Sequence, residues 1–173
     1  MTAAAIQPAG PCDVALLAEL YRRCFDPAAG EAFAGTPWSA RSLAEVMAMP
    51  GVFGLLAVTG GREKSAPAGF LLARVLFEEA ELLTLGVLPE RRRAGLGDRL
   101  LQAGLAEAGR RGARRMTLEV AADNAGAQAL YRGAGFAVAG RRRNYYRLAG
   151  GGNLDAVIFA RALEGPESPS PGP

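Results

Sequence analysis

Between Glu81 and Ala121 the chain follows an order that few folds can accommodate. "ELLTLGVL" is an apolar strand stopped by Pro89. Leu96, Leu100, Leu101, Leu105 and Ala108 then mark one face of a helix reaching about Arg111. "RRMTLEVA" follows and alternates, with Met116, Leu118 and Val120 on one face and Thr117, Glu119 and Ala121 on the other. A strand, a helix and a second strand in one sheet form a right-handed crossover, so the two strands lie parallel.

The flanking segments supply antiparallel partners. "AAAIQPA" reads as a first strand, followed by a helix from about Asp13 to Cys24 with Leu16, Leu17, Leu20 and Cys24 at helical spacing. "FDPAAGEAFAGTPW" is a loop, and Ser39 caps a second helix that Pro50-Gly51 ends after Met49. "VFGLLAVT" and "AGFLLARVLFEE" are hairpin strands around the turn "GGREKSAP", with a further turn expected at Glu78-Glu79-Ala80. Asp123 or Asn124 caps a last helix ended by Gly135, and "FAVAGRRRNYY" and "LDAVIFARAL" close the sheet. The expected class is a mixed α/β fold, mostly antiparallel around one parallel pair, with about four helices. One domain is expected over residues 1–164, and "GPESPSPGP" at 165–173 is expected to be a disordered Pro-rich tail.

Composition narrows the chemistry. The chain has no histidine, so acid–base work falls to Glu, Asp, Tyr, Cys or Lys, and no histidine-ligated metal is available. Cys12 and Cys24 lack metal-ligand spacing and read as reduced thiols, so no metal is expected. "MTAAAIQPAG" has no basic n-region or long apolar run, and no segment approaches the ~20 apolar residues of a membrane span. A cytoplasmic protein without membrane contact is therefore expected. Twelve arginines against four acidic residues between Arg91 and Arg143 give that stretch a charge of +8 within a total of +3. Such asymmetry suggests an anionic ligand, although 19 arginines against one lysine also fit a general composition bias.

The turn "PERRRAGLG" joins that strand to that helix. Helix N-termini offer unpaired N–H groups and a positive dipole end, and glycines let a phosphate approach the backbone. The spacing is neither that of a dinucleotide fingerprint nor that of a P-loop. On its own the turn reads first as ordinary loop chemistry, and only its context raises the phosphate reading.

"LTLGVLPERRRAGLGDRLL" resembles the pyrophosphate signature of the Gcn5-related N-acetyltransferase (GNAT) superfamily, Arg/Gln-x-x-Gly-x-Gly/Ala after a strand ending in Val-x-Pro. "LEVAADNAGAQALYRGAGFAVAGRRRNYY", with "PWSARSL" and "LDAVIF", is similar to its RimI-like branch, the ribosomal-protein alanine N-acetyltransferases. The resemblance runs from about Pro37 to Leu163. It implies a GNAT fold whose central parallel strands splay apart. It further implies that acetyl-CoA is the co-substrate, with its pantetheine arm paired to the backbone of Leu85, Gly86 and Val87. Arg92, Arg93, Ala94, Gly95, Leu96, Gly97 and Asp98 would cradle its pyrophosphate, and Asn124 would contact it near the second strand. The family often has a basic or small residue where Asp98 stands, so this carboxylate must point away from the phosphates.

For catalysis the resemblance implies Glu119 as general base and Tyr131 as general acid. Independently of it, Glu119 lies on the strand face opposite Leu118 and Val120, and Tyr131 follows Asn124 by seven residues, on nearly the same helical face. The loop from Phe33 to Trp38, together with Tyr145 and Tyr146, would line the acceptor groove. The branch usually has an arginine where Ala121 stands. Glu78, Glu79 and Glu81 form an acidic cluster suited to a basic polypeptide. The implied acceptor is a protein N-terminus, the N-terminal alanine of a small-subunit ribosomal protein. Alternatives are another protein or a small-molecule amine, or a non-catalytic acetyl-CoA-binding or ribosome-associated module. "GRRRNYY" interleaves arginine with aromatics, but strand alternation would scatter its arginines, and no direct nucleic-acid contact is expected.

Overall fold

The computed structural model describes residues 4–25, 38–60, 65–148 and 151–163. The strands are β1 (Ala5–Ala9), β2 (Val52–Thr59), β3 (Ala66–Leu76), β4 (Glu79–Val87), β5 (Arg115–Ala121), β6 (Ala137–Arg147) and β7 (Asn153–Ala162). The helices are α1 (Val14–Cys24), α2 (Ala40–Met47), α3 (Leu96–Arg110) and α4 (Ala125–Gly133). Of the loop expected from Phe25 to Trp38, residues 26–37 lie outside the described residues, as does the tail. No helix among the described residues is long and apolar enough to cross a membrane.

One sheet holds all seven strands in the order β1-β2-β3-β4-β5-β7-β6. Every pairing is antiparallel except β4 with β5. The β3–β4 turn falls at Phe77-Glu78, so β3 ends at Leu76, three residues before the expected end at Glu79, with Phe77 at a φ of 54°. β7 inserts between β5 and β6, an order that periodicity does not encode.

Two apolar layers cover the sheet. Leu100, Leu101, Leu105 and Ala108 of α3, with Tyr131 of α4, pack on Leu71, Leu82, Met116, Leu118, Val120 and Phe159. Leu17, Leu20, Tyr21 and Cys24 of α1, with Leu43 of α2, pack on Leu56, Phe70 and Leu72 from the other side. Ser39 caps α2 by accepting from the Ser42 N–H at 3.1 Å, as its position predicts.

The parallel pair is short. β4 and β5 match only at Glu79–Arg115, Ala80–Met116 and Glu81–Thr117. Just beyond, the β3–β4 register shifts so that Ala73 faces Leu82 and Leu72 faces Thr84, leaving Leu83 as an extra residue. A bulge bends its strand and ends the local ladder. β4 therefore leaves β5 and opens a gap in the middle of the sheet.

Candidate active site

The gap exposes backbone. Leu85, Gly86 and Val87 pair with Leu71, Phe70 and Gly69 of β3, while among the described residues their β5-facing edge has no strand partner. Such an edge can accept an extended chain as an added strand. Gly86 is held there by packing: a Cβ would sit 2.8 Å from Phe70 Cε1 and 3.0 Å from Cys24 Cβ.

Below the gap, β4 runs into a 3-10 turn, Pro89–Arg91, and then into the glycine turn. Arg93 and Gly95 both take positive φ, 60° and 74°, and Gly95 serves as the N-cap of α3 without a side-chain cap. The first α3 N–H with an intrahelical acceptor is that of Arg99, which donates to Gly95 O at 3.1 Å. The N–H groups of Leu96, Gly97 and Asp98 are thus available at the positive end of a 15-residue helix.

Arg92 is turned inward. Its Nε donates to Val87 O at 3.0 Å and its Nη2 to Cys24 O at 2.9 Å, joining the end of β4 to the end of α1. Arg91, Arg93 and Ala94 are exposed. Asp98 accepts from Gln102 Nε2 at 3.4 Å, which draws its carboxylate along the helix instead of over the turn. Asn124 is the N-cap of α4 and accepts from the Ala127 N–H at 3.0 Å. Its oxygen is committed to the helix, leaving its amide N–H groups to face outward.

Glu119 and Tyr131 approach the gap from opposite faces. Leu118 and Val120 enter the α3/α4 layer, so Glu119 projects toward the α1/α2 side, half-buried. Its Oε1 pairs with Arg142 Nε at 3.0 Å, and the Tyr145 hydroxyl donates to the same carboxylate. That hydrogen bond raises the Tyr145 phenol above its ordinary range, and the Arg142 guanidinium lies 5.1 Å above the Tyr145 ring. Tyr146, half-buried, is raised first by burial and then by the Glu119 charge.

Tyr131 packs edge-on to Phe136 at 6.0 Å and tilted to Phe159 at 6.2 Å. Burial pushes its phenol up to about 12, with the neighbouring Tyr146 adding to the shift. Among the described residues no sealed side-chain polar atom lacks a hydrogen-bond partner. Among the described residues the Tyr131 hydroxyl has no hydrogen-bond partner, so it is not sealed from solvent. Tyr146 is an electrostatic neighbour of both Tyr131 and Glu119.

Trp38 stacks on Tyr21 with rings 5.7 Å apart and 2° from parallel, packed on the α1/α2 layer. It is partly buried against that layer, and the rest of the loop, from Phe33 to Pro37, lies outside the described residues. Of the acidic cluster, Glu79 opens β4 and Glu81 pairs with Thr117, two residues before Glu119 on β5. Glu78 is paired with Arg114 at 3.0 Å.

Sequence reasoning passed over three residues. Arg142 was one of an undifferentiated run. Gln128, a buried polar side chain, donates to the carbonyls of Ala121 and Ala122 at 3.3 and 3.0 Å and so ties α4 to the end of β5. Asp155 accepts from the Asn144 N–H at 2.9 Å and from Arg141 Nη1 at 3.2 Å. Only Gln128 carried a signal, a polar residue at i−3 from Tyr131 on an apolar helical face.

Residues 15–136 match the family model described as Acetyltransferase (GNAT) family. The [ribosomal protein bS18]-alanine N-acetyltransferase of Escherichia coli (strain K12) is 43% identical over 93 residues, 54% of this chain. The match spans 62% of that relative's length. The N-alpha-acetyltransferase RimI of Mycobacterium tuberculosis is 35% identical over 140 residues, 81% of this chain and 85% of its own. The crystal structure of the ribosomal-protein-S18-alanine N-acetyltransferase from Escherichia coli superposes with a TM-score of 0.80 at 28% identity, covering 97% of this chain and 98% of that one.

Proposed function

We propose, from the premise that the chain belongs to the acetyltransferase (GNAT) family, that it transfers an acetyl group from acetyl-CoA to a protein α-amine in the cytoplasm. The acceptor in this reading is the N-terminal alanine of a small-subunit ribosomal protein. The observation that carries it is the gap between β4 and β5, with an open backbone edge on one wall and a carboxylate and a phenol facing it from opposite sides.

The donor set suits the co-substrate. Leu85–Val87 offer N–H and C=O groups to an amide-bearing arm, and the turn from Arg93 to Asp98 offers convergent N–H groups to a pyrophosphate. Arg92 acts in this reading by fixing the turn to the strand. Asp98, drawn toward Gln102, leaves only its N–H toward the anion.

Bound acetyl-CoA supplies an activated thioester carbonyl. Glu119 accepts the amine proton, directly or through one water, as the new N–C bond forms. Backbone N–H groups of β4 stabilise the negative charge that builds on the acetyl oxygen. Tyr131 donates its proton to the sulfur as the C–S bond breaks, and recovers one from solvent. Arg142 and Tyr145 hold the Glu119 carboxylate oriented toward the acceptor side until the amine arrives.

An α-amine with a pKa near ~8 asks less of a carboxylate base than a lysine ε-amine near ~10.4. That favours a chain terminus as acceptor, and the alanine named for the bS18 relatives supports its identity. Acetyl transfer to peptides beginning with alanine, lysine-containing peptides and polyamines, with wild type and Glu119→Gln, tests the reading. Selective acetylation of the alanine α-amine, lost in Glu119→Gln, is expected. Equal rates for the two proteins would remove the mechanism, and a preference for polyamines would remove the acceptor.

A further inference from the structure

We propose that Asp155 is a positioning residue for the acceptor side: its carboxylate pins a bulge in β6, and that bulge brings Tyr145 and Tyr146 to the Glu119–Arg142 pair. The term acceptor side rests on the acetyl-transfer reading; the bulge and its contacts do not.

Regular alternation would send Tyr145 and Tyr146 to opposite faces of the sheet. The register with β7 shows why both reach Glu119. Arg142 faces Ala156 and Tyr146 faces Leu154, so four steps along β6 oppose two along β7. The surplus of two residues is taken up around Asn144, whose φ is 54°. A non-glycine residue in that region needs support, and Asp155 supplies it from the facing strand. Its Oδ1 accepts from the Asn144 N–H at 2.9 Å and its Oδ2 from Arg141 at 3.2 Å. Those two contacts, the Asn144 N–H foremost, hold the Asp155 carboxyl below the usual carboxylate range.

The same residue also fixes the base-bearing strand. Asp155 O accepts from the Ala122 N–H at 2.9 Å, three residues past Glu119. Its main chain thus anchors the end of β5 while its side chain anchors the bulge that wraps β5. The spacing between Glu119 and the groups around it depends on this one position. The "RRRNYY" run thereby has a role that composition could not assign: Arg141 is tied to Asp155 on β7 and Arg142 to Glu119 on β5, and its asparagine takes the left-handed corner.

Asp155→Ala and Asn144→Val attack the bulge from its two sides, the second by forcing a β-branched residue into positive φ. Each is expected to raise the KM for an alanine-terminated peptide about tenfold while leaving the KM for acetyl-CoA within about twofold. Tyrosine Cζ NMR titration, with Tyr145→Phe for assignment, gives a second readout that needs no turnover. In both variants Tyr145 is expected to fall back toward the ordinary ~10, because its contact with Glu119 is lost. Asn144→Gly keeps the N–H and tolerates the corner, and its Tyr145 titration should match wild type. If Asp155→Ala fails to fold, Asn144→Val decides the question. Unchanged peptide KM and an unmoved Tyr145 would overturn the proposal, as would equal loss toward both substrates. A wild type that acetylates no peptide would overturn the transfer reading, and the titration would still decide the bulge.

Discussion

Arg142 and Glu119 meet at 3.0 Å across two strands that are not neighbours in the sheet, with β7 lying between them. A carboxylate with one fixed cation, one phenol donor and an open side is set up to take a further proton donor. Glu119→Gln keeps the shape and removes the charge. It is expected to slow transfer by roughly 10²–10⁴, the range for loss of a general base, without changing acetyl-CoA affinity by calorimetry. The Tyr145 phenol, raised by that carboxylate, should titrate lower in the same variant. A Tyr145 that titrates unchanged would mean the hydrogen bond is not made in solution.

Tyr131→Phe removes the acid and nothing from the base. Transfer is expected to fall by roughly 10²-fold or more, least for thioesters whose thiol is a good leaving group. With its phenol pushed up to about 12, Tyr131 stays protonated throughout the range in which an amine acceptor is titrated. It should therefore add no alkaline limb to the rate below about pH 11. A series of thioesters with thiols of decreasing pKa measures this directly: a variant-to-wild-type ratio that does not change along the series excludes Tyr131 as proton donor.

The same burial makes a stability prediction with a definite sign. Tyr131 and Tyr21 are both raised to about 12, chiefly by burial, whereas an unfolded phenol ionises near ~10. Between those values the unfolded chain holds fewer protons than the folded one, so stability falls as pH rises. It is intact below about pH 10 and lost as pH climbs toward 12. The midpoint of urea unfolding should decline across that window in wild type and less steeply in Tyr131→Phe, which keeps the raised phenols of Tyr21, Tyr145 and Tyr146. A flat midpoint from pH 9 to 12 would contradict the burial of both.

Much of this site is legible in the chain because it rests on local rules. The alternation of β5 separates Glu119 from Leu118 and Val120, and the Pro-to-Gly turn places a helix start below β4. What escaped depends on partners far away in sequence. No periodicity says that β7 slips between β5 and β6, or that a bulge opposite Ala156 and Leu154 turns Tyr145 toward a glutamate. The stacking of Trp38 on Tyr21 joins residues 17 apart. Arg92 holds the signature position of the resemblance, and its donors to Val87 O and Cys24 O are seen only in three dimensions. Side chains that satisfy backbone groups leave no compositional trace.

Gly86 is required by contact and not by turn geometry. A methyl group there would meet Phe70 and Cys24 at 2.8–3.0 Å, closer than the layer of α1 on β4 can absorb without moving. Gly86→Ala is expected to cost about 1–3 kcal/mol, typical of overpacking, and to displace the strand edge that faces the gap. Urea unfolding gives the first and calorimetric titration with acetyl-CoA the second. If acetyl-CoA affinity is unaffected while stability drops, the β4 edge is not where its arm lies.

Arg92 separates orienting the turn from touching the phosphate. Its two donors reach Val87 O and Cys24 O from one rigid guanidinium, a geometry a lysine ammonium cannot match. Arg92→Lys keeps the charge, so a purely electrostatic role predicts near-normal binding. A positioning role predicts instead that acetyl-CoA affinity falls about five- to tenfold, on the order of one lost hydrogen bond to a charged group. Arg93→Gln, on an exposed side chain, removes charge from the turn and should show the opposite pattern, a modest loss that salt abolishes in the wild type. Titrating acetyl-CoA into the three proteins at low and high salt distinguishes the cases. If Arg92→Lys binds as wild type does, the carbonyl contacts do not set the turn.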